Sequence, residues 1–230
     1  MNDIRGFSLV ELMISLVLGL VVIAAVGMVF LSSSRTSAAT NSLSRAQESS
    51  RFSVQYIGRE LRMAGYSTAY EFGVVSRSIV FPSNIVFTTP GQVIVGTDNS
   101  TAGGVLAGTD TIQLRYMGSA STAIPDCQGN AVNATTIVTV RMFVNEDNEL
   151  VCTVDGGSEE VLIEDIGDLQ LTYGVDTNND NSVDSYVTAA AVTDWLDPVS
   201  VRLEITIDSD NAEITDRVIT SVIALRNRLI

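Results

Sequence analysis

From Phe7 to Leu31 the chain carries a run of 25 residues whose only charge is Glu11. At about 1.5 Å per residue the run reaches roughly 37 Å as a helix, against a hydrocarbon core of about 30 Å, so it is long enough to cross a bilayer. A secretory signal would have a shorter apolar stretch and a small-x-small cleavage site beyond it. Here Ser32-Ser33-Ser34-Arg35 follows, and the small residue, Gly6, lies before the run after a short polar leader. A cut at Gly6 would leave the apolar helix on the mature protein. An acidic residue at the centre of an inserted helix costs roughly 2.5 to 3.5 kcal/mol, so Glu11 implies a partner. An ammonium group would neutralise it in low dielectric. The plainer alternative is a signal anchor whose single acid snorkels to the headgroups.

The charge is unevenly spread. The net charge is -14, but residues 66 to 230 hold 23 acids and 7 arginines, while residues 32 to 65 hold 5 arginines and 2 acids. A basic stem thus carries an acidic head. That head lacks the basic footprint of a nucleic-acid-binding domain, so no nucleic-acid partner is expected. There is no lysine and no histidine. Without histidine a Ser-His-Asp or Cys-His site is excluded, and zinc chemistry lacks its usual ligand. Asp165 and Asp168 are the nearest thing to a glycosidase pair, but surface solvation accounts for them better, and Trp195 reads as core or interface.

Helical spacing continues past the apolar run. Leu43, Ala46, Ser50, Val54, Ile57, Leu61 and Ala64 recur three and four apart, with Arg45, Glu48, Arg51, Arg59, Glu60 and Arg62 as polar partners. Gly65 is placed to stop the helix in a left-handed conformation. Residues 7 to 64 would make one rod of about 87 Å if unbroken. The polar, weakly helical stretch Ser32–Ser44 leaves room for a hinge. Ser15 and Gly19 form a small-xxx-small pair, a weakly specific packing signal.

After Tyr66 the period changes to two. Val199 to Ile207 alternates strictly, as do Ile112, Leu114 and Tyr116, then Val138 to Val144, then Leu169, Leu171 and Tyr173, with a last strand at Val218 to Leu225. Shorter candidates are Ile79–Phe81, Ile85–Thr88, Gln92–Val95 and Leu150–Val154, while Glu159–Ile166 is open to a short helix. The expected fold is α+β: a long N-terminal helix, transmembrane then amphipathic, packed on an antiparallel β-sheet head. The expected segments are a leader (1–6), a membrane or filament-core helix (7–31), its amphipathic continuation (32–65) and a β-rich head (66–230).

Arg5-Gly6-Phe7-Ser8-Leu9-Val10-Glu11-Leu12-Met13 resembles the class III signal of type IV prepilins and type II secretion pseudopilins. The resemblance implies cleavage after Gly6 by a membrane prepilin peptidase and methylation of Phe7 as the new N-terminus. It also implies that Glu11 pairs with a neighbouring subunit's terminus. Arg59-Glu60-Leu61-Arg62-Met63-Ala64-Gly65-Tyr66, the turn Tyr173 to Thr177, and Val222 to Arg228 resemble PilW-type minor pilins. That narrower resemblance implies a pilin-like fold and no enzymatic activity. It implies a role in initiating pilus assembly, a place near the fibre tip, and residence in the inner membrane with a periplasmic head beforehand. Its implied partners are other minor pilins, the major pilin, the peptidase and a large tip adhesin. A type II secretion pseudopilin of GspJ-like kind is the second reading, and an anchored periplasmic enzyme the third.

A periplasmic head would sit in an oxidising compartment, where Cys127 and Cys152 are expected to form a disulfide. Closing that loop would add roughly 3.5 kcal/mol in the chain-entropy view. A metal or redox pair is the weaker alternative, with no CxxC spacing and no histidine. Asp176, Asn178, Asp180, Ser182 and Asp184 fall at positions 1, 3, 5, 7 and 9 of a calcium-loop pattern, so a structural calcium ion is one expectation and a polar turn the other. Asn181 stands where the pattern has glycine, and Val187 where it has glutamate. No cofactor is required by either.

Overall fold

A lipid-facing backbone must satisfy its N–H and C=O groups internally, and a helix does so within one segment. Helix α1 (Leu9–Met63) keeps those groups paired along an apolar stretch rich in valine and isoleucine, residues of weak helix preference. The computed structural model describes residues 8–68, 76–119, 121–208 and 216–228. Gly6 and Phe7 lie outside the described residues. The chain divides into two units, Met1–Ser44 and Arg45–Ile230.

In the first unit the large apolar side chains from Leu9 to Leu31 are 55–76 % exposed. An 18-residue window of α1 has mean hydropathy 2.9, and none of it is buried. This helix is long and apolar enough to cross a membrane. Through the polar stretch where a hinge had room, α1 is unbroken. Thr36, Thr40 and Ser44 each donate a hydroxyl to the carbonyl four residues back, at 3.0, 2.8 and 2.9 Å, so their donors are satisfied inside the helix.

In the second unit the last part of α1 buries Ile57, Leu61 and Ala64 at 0–1 % exposure, as the spacing predicts. Leu43, at the head of the expected stripe, belongs to the first unit and stays exposed. Gly65 follows at φ 76°, and its N–H donates to Arg115 O at 2.9 Å. A Cβ there would meet Val93 at 3.2 Å, so both conformation and space call for glycine.

Two antiparallel sheets form the head. The first has the order β1 (Ile94–Thr97), β2 (Thr111–Met117), β5 (Ile137–Val144), β6 (Leu150–Val154), β7 (Glu160–Ile163). Between β2 and β5 sits a small hairpin of β3 (Ile124–Pro125) and β4 (Ala131–Val132). The second sheet has the order β11 (Arg217–Ala224), β10 (Pro198–Ile207), β8 (Ile166–Val175), β9 (Ser185–Thr188). Register follows the apolar alternation: Ile205 lies opposite Leu169 and Ile219, and Val201 opposite Tyr173 and Ile223. One core runs from Ile57 and Leu61 on α1 through both sheets. Asp110 ties the sheets together, since its N–H donates to Leu169 O and its Oδ2 accepts from Leu171 N, both within 2.8 Å. Trp195 packs edge-on against Tyr173 with ring centroids 4.8 Å apart, as part of the core.

Three short expectations are corrected. Ile79–Phe81 is not a strand: Arg77–Val80 forms a single helical turn, α2, with Phe81 N–H returning to Arg77 O. The open side of β2 is already taken there, because Arg115 N–H donates to Val93 O, and Pro82 has no N–H to offer a ladder. Ile85–Thr88 is a turn, captured by Asn84, whose Oδ1 accepts the N–H groups of Val86 and Phe87. Glu159–Ile166 contributes β7 and the start of β8 rather than a helix, because β6 offers an unpaired edge that Glu160 and Val161 complete.

Candidate assembly site and the ties that shape the head

Glu11 lies in the first turn of α1 and is exposed. Ser15 Oγ donates to the backbone carbonyl of Glu11 at 2.8 Å. A Cβ built on Gly19 meets nothing within 4 Å, so the small-residue face is open. The expected assembly carboxylate is thus displayed on a helix surface that the chain itself does not cover.

The head's polar ties converge on the end of α1. Cys127 and Cys152 are joined in a disulfide that links the turn between β3 and β4 to the middle of β6, and both are buried. Tyr56 Oη donates to Cys127 O at 2.5 Å, and Arg59 Nη2 donates to Asp126 O at 3.3 Å. The same guanidinium holds Glu60 Oε1 at 2.6 Å, while Tyr116 Oη donates to Glu60 Oε2 at 3.2 Å. Glu60 is fully buried. Burial pushes its carboxyl above the ordinary range, against the hydrogen bond and charge of Arg59 and the hydroxyl of Tyr116. Burial likewise raises the phenol of Tyr116, with the Glu60 charge adding to it.

A second tie is Arg115, 1 % exposed on β2. Its guanidinium donates to the carbonyls of Gln92 at 2.8 Å, Pro82 at 2.6 Å and Phe81 at 3.1 Å. It lies 4.5 Å from the Phe87 ring centroid and 5.6 Å from that of Phe81. Burial lowers its pKa to about 10.

Neither Glu60 nor Arg115 stood out in the sequence as a functional or structural centre. Glu60 had a usable signal, for it sits three residues after Ile57 and four before Ala64, on the buried side of the stripe. Arg115 had none, since it alternates with Leu114 and Tyr116 on what reads as a solvent face. Asp168 Oδ1 accepts from Gln170 Nε2 at 2.9 Å, and Asp165 turns the chain into β8 at φ 62°.

The family model described as Type IV Pilus-assembly protein W matches residues 128–227, and that described as Prokaryotic N-terminal methylation motif matches residues 1–27. Over these two stretches the chain resembles type IV pilus minor pilins. No curated protein and no solved structure matches it. The matched regions hold Cys152, the Tyr173–Thr177 turn and nearly all of the Val222–Arg228 block, while Arg59–Tyr66 lies outside both matches. The methylation motif and the apolar α1 fit anchoring in the inner membrane. The two matches point to a structural protein of the pilin kind.

Within the head the loop between β8 and β9 gathers the residues of the calcium pattern. Asp176 accepts the N–H groups of Asp180 and Asn181 at 3.2 and 2.8 Å, and Asp180 Oδ1 accepts that of Ser182 at 2.8 Å. Asp184 Oδ2 accepts from Thr177 N and Oγ1 at 2.8 and 2.6 Å, which holds its exposed carboxyl below the usual range. Asn179 and Asn181 take positive φ, 61° and 64°, so asparagine serves where the pattern has glycine. Val187, where the pattern has glutamate, lies in β9. Among the described residues no three His, Cys, Asp or Glu side chains gather as a metal site.

Proposed function

We propose that this chain is a minor pilin that takes part in initiating assembly of type IV pili and stays in the fibre at or near its tip. The observation that carries the reading is the joining, in one chain, of a methylation-type N-terminus to a PilW-type head. In this reading the prepilin peptidase cuts after Gly6, Phe7 is methylated as the new terminus, and the Glu11 carboxylate pairs with a neighbouring subunit's terminal ammonium. The cost of an acid in the apolar helix supports that pairing, because the counter-charge arrives only on assembly. Before assembly α1 crosses the inner membrane and the acidic head lies in the periplasm. Other minor pilins, the major pilin and a large tip adhesin are its proposed neighbours.

Deleting the gene and scoring piliation, twitching and exoprotein release tests the reading. Loss of surface pili with normal secretion is expected. Lost secretion with normal pili would transfer the chain to a type II secretion pseudopilus.

A further inference from the structure

The second sheet ends on one side in β11, and that side is open. β11 has eight residues, whereas β1, β7 and β9, at the other margins of the two main sheets, have four each. Its pairing decides which backbone groups face outward. Leu225 N–H donates to Val199 O at 2.9 Å, so residues 225 and 199 are a hydrogen-bonded pair. Such pairs alternate along an antiparallel ladder, and the register runs without a shift from Ala224 opposite Ser200 to Arg217 opposite Ile207. Ile223, Ser221, Ile219 and Arg217 therefore direct their N–H and C=O groups to β10. Val218, Thr220, Val222 and Ala224 turn theirs away from the sheet, and no backbone partner meets them among the described residues.

Their side chains are open as well. Val218 is 56 % and Val222 53 % exposed, and Thr220 and Ala224 are exposed beside them. Proteins ordinarily blunt such an edge with a short strand, a proline, a bulge or a charge in mid-strand. β11 uses none of these: from Val218 to Leu225 there is no proline and no charge, and its ladder to β10 has no bulge. The β10–β8 and β6–β7 ladders, by contrast, both carry register shifts. A row of main-chain donors and acceptors at strand spacing is satisfied by another strand. The open row thus selects an extended segment over a helix or a small molecule.

Charge narrows the segment further. From Arg217 to Arg228 the sequence has three arginines and no acid, in a head whose residues 66 to 230 hold 23 acids and 7 arginines. Arg217 and Arg226 are exposed at the two ends of the open row, and neither forms an ion pair among the described residues. A second copy of this edge would bring the same arginines to the same row, like charge against like. The complement is a strand of another protein with acids at its ends, and β-branched residues between them would pack beside Val218 and Val222.

We infer that β11 is a docking edge for an extended strand of another protein, β-branched at its centre and acidic at its ends, paired through Val218, Thr220, Val222 and Ala224. The inference goes beyond the pilus-initiation reading and does not depend on it.

The test uses the full chain in detergent and a synthetic probe, acetyl-Glu-Val-Thr-Val-Thr-Val-Glu-amide, with hydrogen exchange read residue by residue by fragmentation mass spectrometry. Without the probe, the amides of Ile219, Ser221 and Ile223 should be protected and those of Val218, Thr220, Val222 and Ala224 should exchange fast. With the probe at about ten times its Kd, the second set should slow about tenfold and the first set stay as it was. Thr220→Pro removes one outward N–H and no bond to β10, so it should weaken probe binding while the Cys127–Cys152 bond and the protection of Ile219 and Ile223 persist. Arg217→Glu with Arg226→Glu should reverse the preference toward a probe with lysine ends. Absence of slowing up to about 1 mM probe overturns the inference. Equal slowing of the wild type by the lysine-ended probe overturns it too, as does indifference to Thr220→Pro. Slowing of the second set that grows with protein concentration and needs no probe would assign the edge to a second copy instead, and overturns it as well.

Discussion

Tyr116 Oη lies 3.2 Å from Glu60 Oε2, so a strand hydroxyl donates to a carboxylate that α1 buries completely. Because burial raises the Glu60 pKa above its ordinary 4.5, the folded state binds that proton more tightly than the unfolded chain. Its contribution to stability is therefore greatest below about pH 4.5 and declines as pH rises through the folded value. Thermal unfolding of the full chain in detergent at pH 5 and 7 should show Glu60→Gln flattening the pH dependence relative to wild type. Tyr116→Phe should cost about 1–3 kcal/mol by leaving an acceptor unmet.

Arg115→Ala would strand the carbonyls of Phe81, Pro82 and Gln92. A loss of about 3 kcal/mol or more is expected in denaturant unfolding, together with new protease cleavage between residues 76 and 92. Arg115→Lys should recover only part, because an ammonium lacks the planar fork that reaches all three oxygens. Unchanged proteolysis in Arg115→Ala would refute the anchoring role.

Alkylation mass spectrometry of the oxidised protein should find no free thiol at Cys127 or Cys152. Paired serine substitution should lower stability by roughly 3.5 kcal/mol in the chain-entropy view. Hydrogen exchange should then rise first around Asp126–Asn130, where Arg59 and Tyr56 hold the Asp126 and Cys127 carbonyls.

Replacing Gly6 with a bulky residue should leave unprocessed precursor in the membrane, detected by mass. Glu11→Val should insert, since it removes a polar cost, yet fail to enter pili. Normal incorporation of that variant would defeat the pairing hypothesis.

The loop between β8 and β9 should bind calcium no more tightly than about 1 mM, because no acid occupies the closing position. Calorimetry of the EDTA-treated full chain checks this. A micromolar constant abolished by Asp180→Asn would instead make the ion structural.

The sequence made period and polarity readable, and these set most of the fold. Alternation at Val199–Ile207 and the three-and-four spacing of Ile57, Leu61 and Ala64 appear as strand and buried helix face because burial enforces both periods. Alternation marks one face of each strand but not which strands share a sheet, so the split into two sheets was hidden. Short elements were the least legible: Ile79–Phe81 has strand composition, but a neighbouring strand already occupied the edge it needed. Glu11 was visible as an anomaly of charge, whereas Arg115 was invisible because its cover comes from a loop distant in sequence.

Arg115 also sets the conditions under which its turn keeps its shape. A guanidinium with a pKa of about 10, bonded to neutral carbonyls, neither titrates in ordinary surroundings nor relies on a counter-ion. Exposed ion pairs loosen in brine and carboxylate contacts loosen in acid, but buried contacts of this kind are screened far less. The turn that bears Ile85 should therefore keep one shape in fresh water, salt water and acidified surroundings, and yield only when the domain itself melts.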